Sequence, residues 1–356
     1  MVNIEDLKNI RIDPPDAAIY HAVLQNWDHI AKPLDSMGSF ERMTARIGAI
    51  QGTAEVEISK RAVIVMCADH GVVEEGISQS GQEVTAVVTH LMGEGKTSVG
   101  RMAAAADVDV IPVDIGVNSH AHFQGVLDRK IVCGTKNFAK EPAMTKGQAL
   151  TAIQTGIDLV SQCKESGYRI LATGEMGIGN TTMSSAVAAA LIGCSVDRVT
   201  GRGAGLDDKG LARKIRVIQD AIQYHELSQE DPFRILCCVG GFDLVGLTGV
   251  FLGGALSHIP VVIDGVISAV AALAAERLCP GAKDYMLASH KSREPAVEVI
   301  LKELQLTPVI DAGLALGEGT GAVMLFPLLD LALSLYQNRT TFQTAAMEPY
   351  HRFKEE

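Results

Sequence analysis

The sequence predicts an α/β fold: a Rossmann-like, mostly parallel sheet with helices on both faces, plus a small helical domain built from both chain ends. Short β-rich apolar runs recur, separated by helix-like stretches. Almost every run is followed at once by a polar or glycine-rich cluster. The runs are "RAVIVM" (61–66), "DVIPVD" (109–114), "YRILAT" (168–173), "RILCCV" (234–239), "IPVVID" (259–264) and "DYMLAS" (284–289). Continuous apolar strands alternating with helices belong to a sheet covered on both faces. The clusters behind them are "CADHG", "DIGVN", "GEMGIGNTT", "GGFDLVG", "DGV" and "SHKSREP". Ligands of open α/β sheets sit beyond the carboxyl ends of the strands, so these clusters are expected to converge on one site.

The two ends lack such runs. Residues 1–55 read as helices around a loop at "KPLDSMGSF", residues 319–337 as an apolar helix, and the tail beyond about 338 turns polar. The expected division is therefore residues 1–55 with 330–356 as the helical domain and 56–329 as the sheet domain.

Composition narrows the function. A net charge of −11 argues against a nucleic-acid partner, because phosphates need a face dense in lysine and arginine. Small-molecule substrates fit better. Seven scattered cysteines without a C-x-x-C pair read as reduced core thiols of a cytoplasmic protein, and no metal site is expected from them. The start, "MVNIEDLKNI", lacks the basic flank and apolar run of a signal peptide. The uncharged stretch from Leu244 to Ile263 contains glycines, His258 and Pro260, and it divides into a helix and a strand, not a membrane span.

The motifs differ in weight. "HLMGEGKTS" (90–98) imitates a phosphate-binding loop but has His90 where the motif needs glycine, and it does not follow a strand. In "DHGVVEE" (69–75), His70 and Glu74 have a spacing that could hold a metal, without a third ligand in view; a structural or substrate-lining role for Asp69 and His70 fits better. "GEMGIGNTT" (174–182) follows a strand and opens a helix, where glycines admit a ligand and helix amides favour an anion. Its glycine spacing is not the dinucleotide fingerprint, which counts against a dehydrogenase. "GRGAG" (201–205) is a second glycine loop, with Lys214 in the helical stretch behind it. In "ALGEGTGAVM" (315–324), Glu318 stands between Gly317 and Gly319 beside apolar residues. Two readings of it stay open. It is either a desolvated acid with a raised pKa, suited to taking a proton, or a solvated residue at a helix start.

Taken together, "KPLDSMGSFE", "MCADHGVVEEG", "EVTA", "GEMGIGNTT", "GRGAG", "VGGFD", "SHKSREP" and "LGEGTGA" occur in the order of one family. From about residue 30 to 335 the chain resembles the nicotinate-nucleotide–dimethylbenzimidazole phosphoribosyltransferases, which activate the lower-ligand base of cobamides, the vitamin B12 class. The resemblance implies transfer of phosphoribose from nicotinate mononucleotide to such a base. It implies Glu318 as the catalytic base and Glu175 as a second acid near the base or ribose. Gly177, Gly179, Asn180, Gly203, Lys214, Ser292 and Gly319 would bind the nucleotide and its phosphate. Ser80, Val88, Met176 and Leu316 would line the acceptor pocket. Because a cationic nicotinate leaves well, no cofactor and no obligatory magnesium are implied. Dimers are typical of the family, and some members act on phenols as pairs of related subunits.

Three positions depart from the family pattern. Ala315 stands where arginine usually contacts the phosphate, Asp35 replaces a glycine of the KPxGS loop, and Val88 stands where Met or Gln is frequent. The first two predict a weakened nucleotide site; the third predicts an altered base preference. A second reading follows from them: a paralogue of low activity acting as the structural subunit of a heterodimer.

Overall fold

The computed structural model describes residues 4–352. One sheet contains β1 (Arg61–Ala68), β2 (Asp109–Gly116), β3 (Leu127–Asp128), β4 (Ile170–Met176), β5 (Val261–Ile263) and β6 (Met286–Ala288). Its order is β3-β2-β1-β4-β5-β6, and every neighbouring pair is parallel. A separate parallel pair joins β7 (His290–Ser292) to β8 (Ile310–Leu314).

β1 shows why the sheet must be covered twice. All eight of its residues are buried, and the two-residue period sends them alternately to two cores. Ala62, Ile64, Met66 and Ala68 join one cluster with Ile153, Val187, Val250 and Val270. Those four sit on the helices Lys146–Glu165, Asn180–Ile192, Phe242–Ser257 and Val266–Leu278. Val63, Val65 and Cys67 face the other cluster, with Val23, Ile47, Val99 and Phe326. These belong to the helices Ala17–Asp28, Ser39–Gln51, Ser98–Ala105 and Thr320–Gln337. The strand order reverses direction between β1 and β4, which is where this sheet type opens a ligand crevice.

The chain ends meet. Ile30 bridges Thr341, the Trp27 and Tyr336 rings lie 5.2 Å apart, and the Tyr336 hydroxyl donates to the Ala54 carbonyl at 2.9 Å. Their apolar side chains share one cluster with the second face of β1. Asp35 lies here too: its carboxylate takes Arg352 at 2.7 Å, beside Asp28. Arg352 holds the Asp35 carboxyl below its ordinary range.

Four of the six expected strands form close to the positions read from sequence, and two readings need correcting. "RILCCV" is part of a helix, Pro232–Val239. Pro232 pre-sets the first turn and the Asp231 side chain accepts the Arg234 amide at 3.0 Å, so capping overrides the apolar run. "DYMLAS" begins as a 3₁₀ turn, Ala282–Tyr285, and only Met286–Ala288 is strand. β3, β7 and β8 are short or polar and left no apolar run to find.

The uncharged stretch resolves into the helix Phe242–Ser257 and β5. The helix is dry because glycines bring it against Lys146–Glu165. A Cβ on Gly156 would strike the Gly246 carbonyl, and one on Gly249 would strike the Ile153 carbonyl. Among the described residues one helix, Thr320–Gln337, is long and apolar enough to cross a membrane, and 56% of it is buried within the protein. Five of the seven cysteines are buried, and burial pushes the Cys67 and Cys237 thiols up to about 12.

Two glycines of the helix Lys146–Glu165 and its partner separate packing from propensity. Gly249→Ala should destabilise the fold by about 1–3 kcal/mol, because the added methyl forces two backbones apart. Gly147→Ala, whose Cβ meets nothing within 4 Å, should be neutral or stabilising by up to about 1 kcal/mol. Urea denaturation of both variants checks this; equal effects would show that helix–helix contact is not what fixes Gly249.

Candidate active site

At the carboxyl ends of β4 and β5 lies a cavity of about 210 Å³. Its lining comes from five of the clusters singled out in the sequence, as Glu175 to Thr181, Arg202 to Ala204, Gly265, His290, Ser292, Glu294 and Ala315 to Glu318, whereas "CADHG", "DIGVN" and "GGFDLVG" do not reach it. A larger cleft of about 480 Å³ between Pro14, Arg46 and Leu306 has none of them.

The centre is a turn laid directly on a strand. Gly317, Glu318 and Gly319 have φ of 87°, 62° and 90°. A left-handed conformation is free for glycine but costs a glutamate about 1–2 kcal/mol. A Cβ on Gly174 would lie 2.5 Å from the Glu318 carbonyl oxygen, one on Gly317 2.7 Å from Glu175 Oε1, and one on Gly319 2.6 Å from Val63 Cγ2. Any side chain at these three points would lift the turn off β4. Glycine there lets Glu318 sit beside Glu175.

The two carboxylates occupy different surroundings. Glu318 is half-buried, and its Oε2 accepts the Val99 amide at 2.9 Å. That amide belongs to the first turn of the helix Ser98–Ala105, whose own cap is Thr97. The "GEGKTS" stretch is thus no phosphate loop, but its end anchors Glu318. Glu175 is buried, and its carboxyl is pushed up to about 8, first by burial and then by the charges of Asp243 and Asp264. Asn180 opposes this by donating to Glu175 Oε2. Of the two readings open for Glu318, its half-buried place against a helix start fits the second, and the desolvated acid of the site is Glu175.

Behind Glu175 runs a closed polar layer. The Asn180 amide also reaches Asp243 Oδ2 at 3.4 Å, and His70 Nε2 lies 3.4 Å from that oxygen. Both Asp243 and His70 are fully buried, and a Cβ on Gly177 or Gly241 would strike the His70 ring. Glu74, four residues on, points elsewhere to Lys140 at 2.8 Å. Among the described residues no three His, Cys, Asp or Glu side chains gather to hold a metal. Asp264 caps the helix Thr320–Gln337 by accepting the Ala322 amide at 2.9 Å, and burial raises its carboxyl. Burial pushes the His290 imidazole the other way, down, while Ser289 Oγ lies 2.9 Å from His290 Nδ1.

The second glycine loop forms the far wall. Lys214 does not line the cavity: it is fully buried beneath the loop, donating to Thr181 Oγ1 at 2.9 Å and the Gly201 carbonyl at 3.1 Å. Burial pushes its ammonium down to about 8. The Gly203 amide donates to Glu294 Oε1 at 3.1 Å, so this loop already holds a carboxylate.

Of the residues singled out from sequence, Glu318, Glu175, Gly177, Gly179, Asn180, Gly203, Ser292, Met176 and Leu316 line the cavity. Gly319 is packed behind it. Ser80 is exposed, two residues past the lining Ser78, and Val88 is half-buried against the second core cluster; neither reaches the cavity wall. Asp35 is likewise outside the lining. Arg202, Thr181, His290 and Glu294 line the cavity although none was singled out.

The sheet order, the glycine turns and the acid pair fit a known group of enzymes. A family model described as "Phosphoribosyltransferase" matches residues 12–347. A nicotinate-nucleotide–dimethylbenzimidazole phosphoribosyltransferase of Clostridium acetobutylicum is 41% identical over 353 residues, covering 99% of this chain and all of that protein. One from Clostridium perfringens is 44% identical over 316 residues, 89% of this chain and 88% of that one. The crystal structure of CobT from Thermus thermophilus superposes with a TM-score of 0.88 at 38% identity, over 93% of this chain and 99% of that one. With identity of this order over nearly the whole length, the chain belongs to the nicotinate-nucleotide–dimethylbenzimidazole phosphoribosyltransferase family.

Proposed function

We infer that this chain transfers phosphoribose from nicotinate mononucleotide to a dimethylbenzimidazole-type base, giving the α-ribotide of the cobamide nucleotide loop. The observation that carries the reading is the pair of unlike acids at the sheet's switch point, in a chain similar to these enzymes over its full length.

The acceptor's ring nitrogen attacks the anomeric carbon while the bond from that carbon to the nicotinate nitrogen breaks. The departing pair neutralises the pyridinium, so the leaving group needs no proton and no metal. The attacking azole must lose its N–H proton or become a cation, and Glu318 is the residue to take it. The Val99 amide and the left-handed backbone fix where its carboxylate points. Glu175, raised to about 8, is mostly protonated at neutral pH. It presents a hydroxyl donor near base or ribose without adding charge against the donor's phosphate. Gly177, Gly179, Asn180, Gly203, Ser292 and Gly319 shape the nucleotide side, and Lys214 acts through Thr181 and the loop it supports. Met176 and Leu316 face the acceptor. Ser80 and Val88 influence it only from behind the wall.

The subunit arrangement and the compartment are part of this reading. Leu331 at 70% exposure and Leu335 on the helix Thr320–Gln337 are apolar side chains that a second subunit would cover. The buried thiols fit a reducing cytoplasm. Ala315, exposed at the cavity mouth just past β8, is the one observation on the side of the heterodimer reading, since its own side chain supplies no cation. Asp35 gives that reading no support, since it pairs with the tail. Incubating the purified chain with nicotinate mononucleotide and dimethylbenzimidazole, with riboside phosphate followed by mass spectrometry, decides between them. Product from the chain alone supports an active enzyme; product only after a paralogue is added overturns it.

Glu318→Gln should lower kcat by about 10²–10⁴-fold, the range of a lost general base, with nucleotide binding nearly intact by calorimetry. Turnover equal to wild type removes Glu318 from proton transfer.

Glu175 gives two pH dependences. Its folded pKa lies above that of an unfolded glutamate, so the native state binds the extra proton. Its contribution to stability is full below the ordinary range near 4.5 and is lost as pH rises toward about 8. Glu175→Gln, which mimics the neutral acid, should flatten that loss in denaturant titrations. The fall of kcat/KM above about pH 8 should flatten too. An unchanged alkaline limb would assign it to another group.

A further inference from the structure

The cavity's charge balance raises a question that the catalytic pair leaves open. A dianionic phosphate entering it meets the carboxylates of Glu294 and Glu318 beside the neutral Glu175. The arginine in the lining, Arg202, is held by Asp208 at 2.5 Å and by the Leu206 carbonyl at 3.0 Å. Lys214 is sealed beneath the loop. The amide of Gly203 is occupied by Glu294. Electrostatics therefore calls for a cation that is free to move in.

One exposed residue meets that need. Arg293 lies between Ser292 and Glu294, both of which line the cavity, while its own side chain is exposed beside the mouth and outside the lining, so it must swing in to reach a ligand. Its backbone is fixed: β7 pairs with β8 at Ser292 and Leu314, and the Arg293 amide donates to the Leu314 carbonyl at 3.2 Å. Positions 293 and 315 thus follow a paired step on adjacent parallel strands, at one edge of the cavity mouth. The Arg293 stem runs over the bulge at Gly313, where φ is 63° and a Cβ would lie 3.9 Å from its Cγ and Cδ. Among the described residues no hydrogen bond or ion pair holds its guanidinium. Its neighbour Lys291 is 3.9 Å from Glu298.

We propose that Arg293 binds the phosphate of the donor nucleotide, supplying from just past β7 the guanidinium that Ala315, just past β8, does not supply. This rests on the functional reading above and adds to it a residue that selects a phosphorylated donor. The guanidinium fork suits two phosphate oxygens at once. Glu294, next in sequence, gives up the Gly203 amide as phosphate arrives, so one turn releases an anion and supplies a cation. No covalent step is involved.

Binding of nicotinate mononucleotide and of its phosphate-free riboside, measured by calorimetry, tests this. Arg293→Ala should weaken the mononucleotide about 10–100-fold, the span expected for one charge-assisted bidentate contact. Affinity for the riboside should stay the same, and KM should rise with kcat little changed. Arg293→Lys should recover part of the loss, and adding Ala315→Arg to Arg293→Ala should recover most of it. Mononucleotide binding unchanged by Arg293→Ala, or an equal loss for mononucleotide and riboside, overturns the proposal while the transferase reading stands. A wild-type chain that binds neither compound and makes no riboside phosphate overturns both.

Discussion

The contact between the Gly317–Glu318–Gly319 turn and β4 is the constraint from which the rest of the site follows. Gly174 is a strand residue without a side chain, and the Glu318 carbonyl occupies the space a Cβ would need. That approach sets the depth of the cavity, the spacing of the two acids and the start of the helix Thr320–Gln337. The helix in turn is capped by Asp264 from the end of β5. Three consecutive left-handed residues, the middle one a glutamate, are a strained arrangement of the sort found at functional sites. The strain is held by packing on both sides: Val63 below Gly319 and Glu175 beside Gly317.

The same contact makes the two carboxyls chemically unequal. Glu318 hangs from a turn at the cavity wall and accepts a helix-start amide. Glu175 points from the strand into a layer already holding Asp243 and Asp264. Burial and like charge act in the same direction on Glu175, and the Asn180 amide only partly offsets them. In the proposed mechanism the arrangement keeps one acid for proton acceptance and one for donation without choosing different residue types. Environment sets the roles.

Much of this was legible in the sequence because parallel α/β sheets place their chemistry after strands. The clusters "GEMGIGNTT", "GRGAG", "SHKSREP" and "LGEGTG" all reach the cavity; three follow or close a strand, and "GRGAG", between two helices, was legible only by its glycines. Reading failed where an effect depends on packing across the fold. "RILCCV" has the apolar run of a strand, but a proline and an aspartate cap at its start make it a helix. Lys214 has the charge for phosphate, yet its helix turns it under the loop. Val99 carries no polar side chain at all; it matters through its amide, 219 residues from Glu318 in sequence. Spacing alone leaves open whether the glycine turn desolvates its acid, and the fold shows that strand β4 provides the deeper burial.

The departures from the family pattern show the same limit more sharply. Asp35, taken alone, removes a glycine from a loop; in the fold it adopts φ of 55° and anchors the tail through Arg352. Ala315, taken alone, removes a cation from the phosphate's surroundings. It follows β8, however, which pairs with β7 across a bulge, and the residue one step beyond the Ser292–Leu314 pair on the other side is an arginine. Positions 293 and 315 leave the pair at the same level, 315 in the cavity wall and 293 beside it. A charge can then pass from one to the other with little change in the field the ligand meets. On the proposal made above, the consequence of Ala315 is therefore set by its neighbour across the ladder, Arg293.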